Sequence, residues 1–211
     1  MLDDQVLGAG GTLASLRGHT TAVLTLGRGR EGSTALLESR TYTAHGILET
    51  ATYPGDMRLQ DNAFDATTLL RVVQRVESVM RTFRPTVVLT HSPADLNIDH
   101  RRTFEAVMSA TRPVPTTGGW AKNIRTVMSF EVPSATEWGF GQLGDFQPNV
   151  FVRLEERDLS LAIEAMRVYD SEMRPAPHPR SEEVLRARAV RWGSYAGVGL
   201  AEAFQLVRAV V

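Results

Sequence analysis

The chain of 211 residues contains no cysteine. Disulfides, thiolate catalysis and cysteine-ligated zinc are therefore excluded. Lysine is nearly missing too: of 23 basic residues, only Lys122 is a lysine. Schiff-base chemistry and a phosphate-loop lysine are left almost without a candidate. Charge of one sign is not in excess, with 24 acidic residues and a formal net charge of −1, so the strong basic footprint of a nucleic-acid binder is absent. No run of ~18 apolar residues occurs, so no segment reads as a membrane span. The opening MLDDQVLGAGG is acidic and glycine-rich, unlike a secretory signal, and a cytoplasmic, reducing setting is expected. What is present is ordinary for a globular protein: 43% hydrophobic and 22% charged residues. The length fits one domain, 1–211, with a core of its own.

Apolar spacing along the chain predicts alternating elements. Residues 3–17 read as a helix opening with two carboxylates, and its glycines (Gly8, Gly10, Gly11) suggest close approach to neighbouring backbone. A short strand is predicted at 21–27, followed by a polar loop. Leu69, Leu70, Val73, Val76, Val79, Met80 and Phe83 recur at helical spacing within 66–83, and Pro85 closes that helix. A buried strand (86–91), a loop (92–99) and a helix (about 100–111) follow. Further strands are expected at 126–131, 149–154 and 203–211, with helices near 158–172 and from Ser181 onward. This alternation predicts a Rossmann-like α/β layered fold, a mostly parallel sheet flanked by helices. In such folds the working site lies beyond the carboxyl ends of the strands.

Two clusters there carry chemistry. One is Asp3-Asp4 at a helix start. The other is His91-x3-Asp95-x-Asn97-x-Asp99-His100, after a buried strand. A metal needs several nitrogen and oxygen donors brought together, and Asp4 and His100 offer two, with Asp3 placed to act as a base. From spacing alone a bland reading stands beside this one. Adjacent aspartates at a helix start commonly serve as caps, and an Asp-His pair in a loop is commonly structural. GAGG (8–11) raises a nucleotide-binding alternative, although the G-x-G-x-x-G spacing is not met and no lysine follows.

These residues sit in longer matches. DDQVLGAGGTLA (3–14), DNAFD (61–65), THSPADLNIDHR (90–101), SFEVPSATEWG (129–139), PHPRSEE (177–183) and AEAF (201–204) resemble segments of the LmbE-like (PIG-L) family of metal-dependent N-acetylglucosaminyl deacetylases, over nearly the whole chain. The resemblance implies a hydrolase that removes acetyl from an N-acetylglucosamine-type sugar conjugate, with Zn2+ or another divalent metal as cofactor. It implies Asp4 and His100 as metal ligands and Asp3 as the base toward water at the metal. Asn97 falls near the attacked carbonyl as a hydrogen-bond donor. His178 is a candidate for substrate contact or proton delivery, with a plain surface-loop histidine as the other reading. Arg58 and Asp61 are candidates for contact with sugar hydroxyls, or else surface charge and a cap. His91 reads as fixing its loop by a hydrogen bond, while His19 and His45 have no supporting neighbours. The partner is a small molecule, without nucleic acid or a membrane span, and an oligomer is left open.

The first motif departs from the family pattern. Its histidine falls at Met1, its proline at Leu2 and its glutamate at Gln5, and the usual first strand is lacking. Asp4 and His100 alone are an incomplete set for zinc, and a methionine thioether is a poor substitute. The α-amino group of Met1 is a further nitrogen donor to consider. Either the stated start lies downstream of the true one, or the ligand is truly lost. Low or absent activity is expected. The rival is a non-catalytic carbohydrate-binding or scaffold protein that has lost the metal site. Loops 28–60 and 113–125 are expected to set substrate preference.

Overall fold

The protein is described by a computed structural model covering residues 2–28, 34–53, 59–113 and 119–211. Its elements are, in order, α1 (Asp4–Ser15), β1 (Ala22–Leu24), β2 (Gly27–Arg28), α2 (Thr34–Ile47), β3 (Ala51–Tyr53), β4 (Leu59–Gln60), α3 (Leu69–Phe83), β5 (Val87–His91), α4 (Ile98–Ala110), β6 (Thr126–Phe130), β7 (Val150–Leu154), α5 (Glu156–Arg167), α6 (Glu182–Ala196) and β8 (Leu200–Ala209).

The strongest periodic segment becomes α3, which buries Val72, Val73, Val76, Val79 and Met80 and ends at Arg84 in the left-handed region. Leu70 turns outward instead, at 64% exposure. The segment 34–47, read as loop, is the helix α2. Its sequence TALLESRTYTAHGI carries no apolar stripe, and its threonines are weak helix formers. Ala44, His45 and Leu48 are nonetheless buried, and tertiary packing outweighs local propensity there.

β5, β6, β8 and β7 form one sheet in that order. β5 and β6 are parallel, whereas β8 runs antiparallel to both of its neighbours. The sheet is thus only partly parallel, a correction to the reading above. Two helices, α5 and α6, intervene between β7 and β8, rather than the single crossover helix that keeps strands parallel. β1 pairs with β3 and β2 with β4, both in parallel, and no strand bonds either pair to the larger sheet among the described residues.

Alternation along the strands divides the core. Val23, Leu89, Met128 and Phe130 face one cluster with Val6, Leu7 and Tyr169, while Leu24, Val88 and Val127 face another with Val72, Val76 and Trp120. The glycines let α1 sit tightly on this layer. A Cβ at Gly8 would lie 2.2 Å from the Phe130 ring, and one at Gly11 would lie 2.5 Å from Leu154 Cδ1. The close neighbours are side chains, not the backbone expected. α1 also bends at Ala9 (φ −149°), and the amides of Gly11 and Thr12 donate to Glu202 Oε1 and Oε2 at 2.8 and 2.7 Å. GAGG therefore lies buried in a helix with those amides already satisfied. It offers no phosphate cradle.

Candidate metal centre

Three element ends meet at the carboxyl edge of β5: the start of α1, the last residue of β5 and the first turn of α4. The Asp3-Asp4 pair is mounted firmly. The carbonyl of Leu2, just before it, accepts from Tyr169 Oη at 2.7 Å and from Gln5 Nε2 at 2.8 Å. Gln5 Nε2 also lies 3.0 Å from His45 Nε2, and His45 Nδ1 lies 2.7 Å from Thr52 Oγ1. His45, which looked isolated in the sequence, belongs to a buried polar chain behind the site.

Neither aspartate behaves as a simple cap. Asp3 stands at the N-cap position of α1 without a side-chain cap bond, and its Oδ2 meets Arg180 Nη1 at 3.2 Å. Asp4 turns inward: its Oδ2 lies 3.1 Å from His91 Nε2 and 3.1 Å from His100 Nε2. The two imidazoles stack, with centroids 4.4 Å apart. Behind His100, Nδ1 lies 3.0 Å from Asp95 Oδ2, which also accepts from Thr136 Oγ1 at 2.8 Å. Asp95 Oδ1 accepts from the amide of Asn97 at 2.8 Å. Aspartate thus faces His100 on both sides, although neither contact has hydrogen-bond alignment.

Charge follows from this packing. Burial pushes Asp3 up to about 7, helped by the charge of Asp4 and opposed by Arg180. Burial also opposes ionisation of Asp4, but the facing His100 and His91 outweigh it and hold that carboxyl well below its usual range. His100 is disfavoured as a cation by burial, yet Asp4 and Asp95 raise it to about 9. His91, by burial and by the charge of His100, falls to about 4. The centre therefore rests as an Asp4–His100 ion pair beside a neutral His91.

The remaining sequence candidates take varied positions. Asn97 caps α4, its Oδ1 accepting from the amide of Asp99 at 2.8 Å, while its Nδ2 lies 3.4 Å from Asn62 Oδ1. Asp61 precedes Asn62, and Asp99 ties that turn to α4 by accepting from the amides of Asn62 (2.7 Å) and Phe64 (3.0 Å). His178 accepts at Nδ1 from the amide of Arg180 at 3.1 Å, which leaves the proton on Nε2, and its ring meets Trp138 edge-on at 5.6 Å. Arg58 and Met1 lie outside the described residues.

Sequence reasoning gave no role to Asp95, Thr136 or Arg180. Asp95 was visible in the motif, but its place behind His100 required the fold. Arg180 is buried: besides Asp3, its Nη1 meets Glu172 Oε2 at 2.8 Å, and its Nε donates to Ser134 Oγ at 2.8 Å. Nothing local in PHPRS announces that.

Asp4, His91 and His100 each present a donor atom, all within 4.8 Å of one another. Two imidazoles and a carboxylate suit zinc and similar divalent metals. Buried ring nitrogens without aligned partners are the further sign that a cation fits here.

With this geometry in view, the model of the GlcNAc-PI de-N-acetylase family, PIG-L, matches residues 2–111, just over half of the chain. The chain belongs to the PIG-L family. No curated protein sequence matches it. Among solved structures, a conserved protein of Thermus thermophilus is similar at 24% identity with a TM-score of 0.76, over 99% of this chain and 92% of that one. The N,N'-diacetylchitobiose deacetylase of Pyrococcus horikoshii is similar at 18% identity and 0.75, over 98% and 80%. The 4-carboxy-2-hydroxymuconate hydratase of Pseudomonas putida is similar at 19% identity and 0.76, over 100% and 94%. These likenesses establish that the chain has the PIG-L deacetylase fold.

Proposed function

We propose that this chain is a metal-dependent N-deacetylase that hydrolyses the amide of an N-acetylated sugar conjugate, releasing acetate and a free amine. The observation that carries this reading is the second carboxylate. Asp3 is buried beside the ligand pair, is not spent on a cap, and is poised near neutrality, as a general base requires. A site that only binds sugar has no use for such a group, which weighs against the carbohydrate-binding alternative.

Asp4 and His100 would hold the cation, zinc or another divalent metal. When bound, it supplies positive charge that polarises the acyl carbonyl and acidifies water. The chain's own residues do the rest. Asp3 takes the proton from water. Arg180 fixes the carboxylate that does so. His178, with its proton on Nε2, is set to donate to the acyl oxygen or to the leaving amine. Asn97 Nδ2 is a second donor on the Asn62 side, and Asp61 with Arg58 would meet sugar hydroxyls. The proposed context is one deacetylase domain over 1–211, cytoplasmic, with a small-molecule substrate. No helix among the described residues is long and apolar enough to cross a membrane.

The test is acetate release from N-acetylglucosamine conjugates, with and without added zinc. Zinc-dependent release that is lost in Asp3→Asn supports the reading. No release under any metal, or an unchanged rate in Asp3→Asn, overturns it.

A further inference from the structure

We propose that His91 is the third protein ligand of the metal centre. This rests on the metal reading above and goes beyond it, because it assigns a ligand role to a residue at the end of a strand.

Two protein ligands are too few: zinc sites usually carry three or four. The first motif offers Met1, Leu2 and Gln5 around its aspartates, and none of them is an imidazole or a carboxylate. Asp3 is drawn away by Arg180, 3.2 Å from its Oδ2. Among the described residues, Asp4, His91 and His100 form the one cluster of histidine and carboxylate donors close enough to share an ion.

The geometry of His91 suits the task. It is the last residue of β5 and is paired in register with Phe130 of β6, so its backbone is held by the sheet. Its Nε2 is directed at Asp4 Oδ2, the same oxygen that faces Nε2 of His100, and both distances are 3.1 Å. Tetrahedral zinc with bonds of ~2.0–2.1 Å separates its donors by about 3.3–3.4 Å. The two N···O separations therefore need to open by only a few tenths of an ångström. The stacked rings bring both Nε2 atoms to the same carboxylate oxygen.

The two imidazoles are not equivalent. His100 is backed by Asp95 at 3.0 Å. Nδ1 of His91 is buried and has no hydrogen-bond partner among the described residues. Ligating histidines are strengthened by an acceptor behind them. His91 is thus the weaker leg of the set, and its loss is expected to cost less affinity than the loss of His100.

A plain structural role for His91 is donation of one hydrogen bond to Asp4. Glutamine separates the two roles. Its amide nitrogen reaches about as far as Nε2 and keeps that donation, but an amide is a poor ligand for a divalent transition metal. The experiment is titration of the 211-residue chain with Co2+, followed by visible absorption and calorimetry. The wild type is expected to bind one equivalent. His91→Gln should bind at least about tenfold more weakly, with altered absorption bands, and His100→Ala should show no site. Imidazole 15N spectra of the wild type give a second readout that needs no variant: Cd2+ should shift Nε2 of both histidines. Equal Co2+ affinity and spectrum in His91→Gln, or a Cd2+ shift confined to His100, overturns the assignment while leaving a metal enzyme in place. No binding by the wild type overturns the metal reading itself, and the assignment with it.

Discussion

Arg180 holds Asp3: its Nη1 lies 3.2 Å from Asp3 Oδ2, while the same nitrogen meets Glu172 at 2.8 Å and Nε is bound to Ser134. One guanidinium thereby joins the loop before α6, the turn after β6 and the proposed base. It also opposes the burial and the Asp4 charge that push Asp3 toward protonation.

Replacing Arg180 by glutamine removes that opposition, and the Asp3 carboxyl should rise further. An opposite charge at this range is worth ~1–3 pH units to a carboxylate, so the ionised fraction at pH 7 should fall ~5- to 500-fold. Acetate release should drop accordingly at neutral pH and recover as pH is raised. Arg180→Lys should restore part of the neutral activity. Breaking a buried ion pair costs ~3–5 kcal/mol when the partner stays charged. Asp3 can take up a proton, so the loss of stability should be smaller. A pH–rate profile that does not move would remove Arg180 from this role.

Much of the fold was legible because apolar spacing dictates it. α3 buries Val73, Val76, Val79 and Met80 of the residues its spacing singles out, whereas Leu70 turns outward, and β5, α4 and β8 form close to where the pattern puts them. α2 was not legible, since its helix is enforced by burial of Ala44, His45 and Leu48 and not by its own sequence. The antiparallel course of β8 is missed for another reason: helices near 158–172 and from Ser181 onward are both expected between the strands at 149–154 and 203–211, but the general alternation reads as parallel unless the chain is followed through that pair. At the site, a motif displays the residues next to one another in sequence, such as Asp4 and His100 in their respective runs. It cannot display partners that arrive from afar. Arg180 lies 177 residues from Asp3, and Thr136 lies 41 residues from Asp95.

His45 should govern part of the acid stability of the protein. Burial lowers it from 6.5 to about 4. A histidine depressed in the folded state contributes stability that is fully present above pH 6.5 and is lost as pH falls toward 4. The difference amounts to about 3 kcal/mol at pH values below 4. His91 acts with the same sign, so a direct comparison is needed to isolate His45. Urea unfolding of the wild type and of His45→Asn, from pH 7 to pH 4, should show convergence as pH falls. The variant is expected to be less stable at pH 7, where its polar chain to Gln5 and Thr52 is broken, and its stability should vary less steeply with pH. Parallel curves would mean that His45 titrates alike in the folded and unfolded chains.

Metal uptake should release a proton, and His100 is its source. Between Asp4 and Asp95 this imidazole is raised to about 9, so it is charged at pH 7. A ligating imidazole must give up that charge, whereas His91, lowered to about 4, has none to give. Binding of one zinc at pH 7 should therefore expel about one proton from His100, and up to about half a proton more from Asp3, which stands near 7 beside the site. Apparent affinity should climb about tenfold per pH unit until His100 is neutral unaided, near pH 9. Calorimetry in buffers of different ionisation enthalpy measures the proton count directly. Asp95→Asn should lower the pH at which His100 gives up its proton and reduce the number released at pH 7. It should also weaken binding ~10- to 100-fold at high pH, where only the backing of the ligand remains at stake. A proton count near zero in the wild type at pH 7 would show that His100 is not the charged partner of Asp4 that the packing around it dictates.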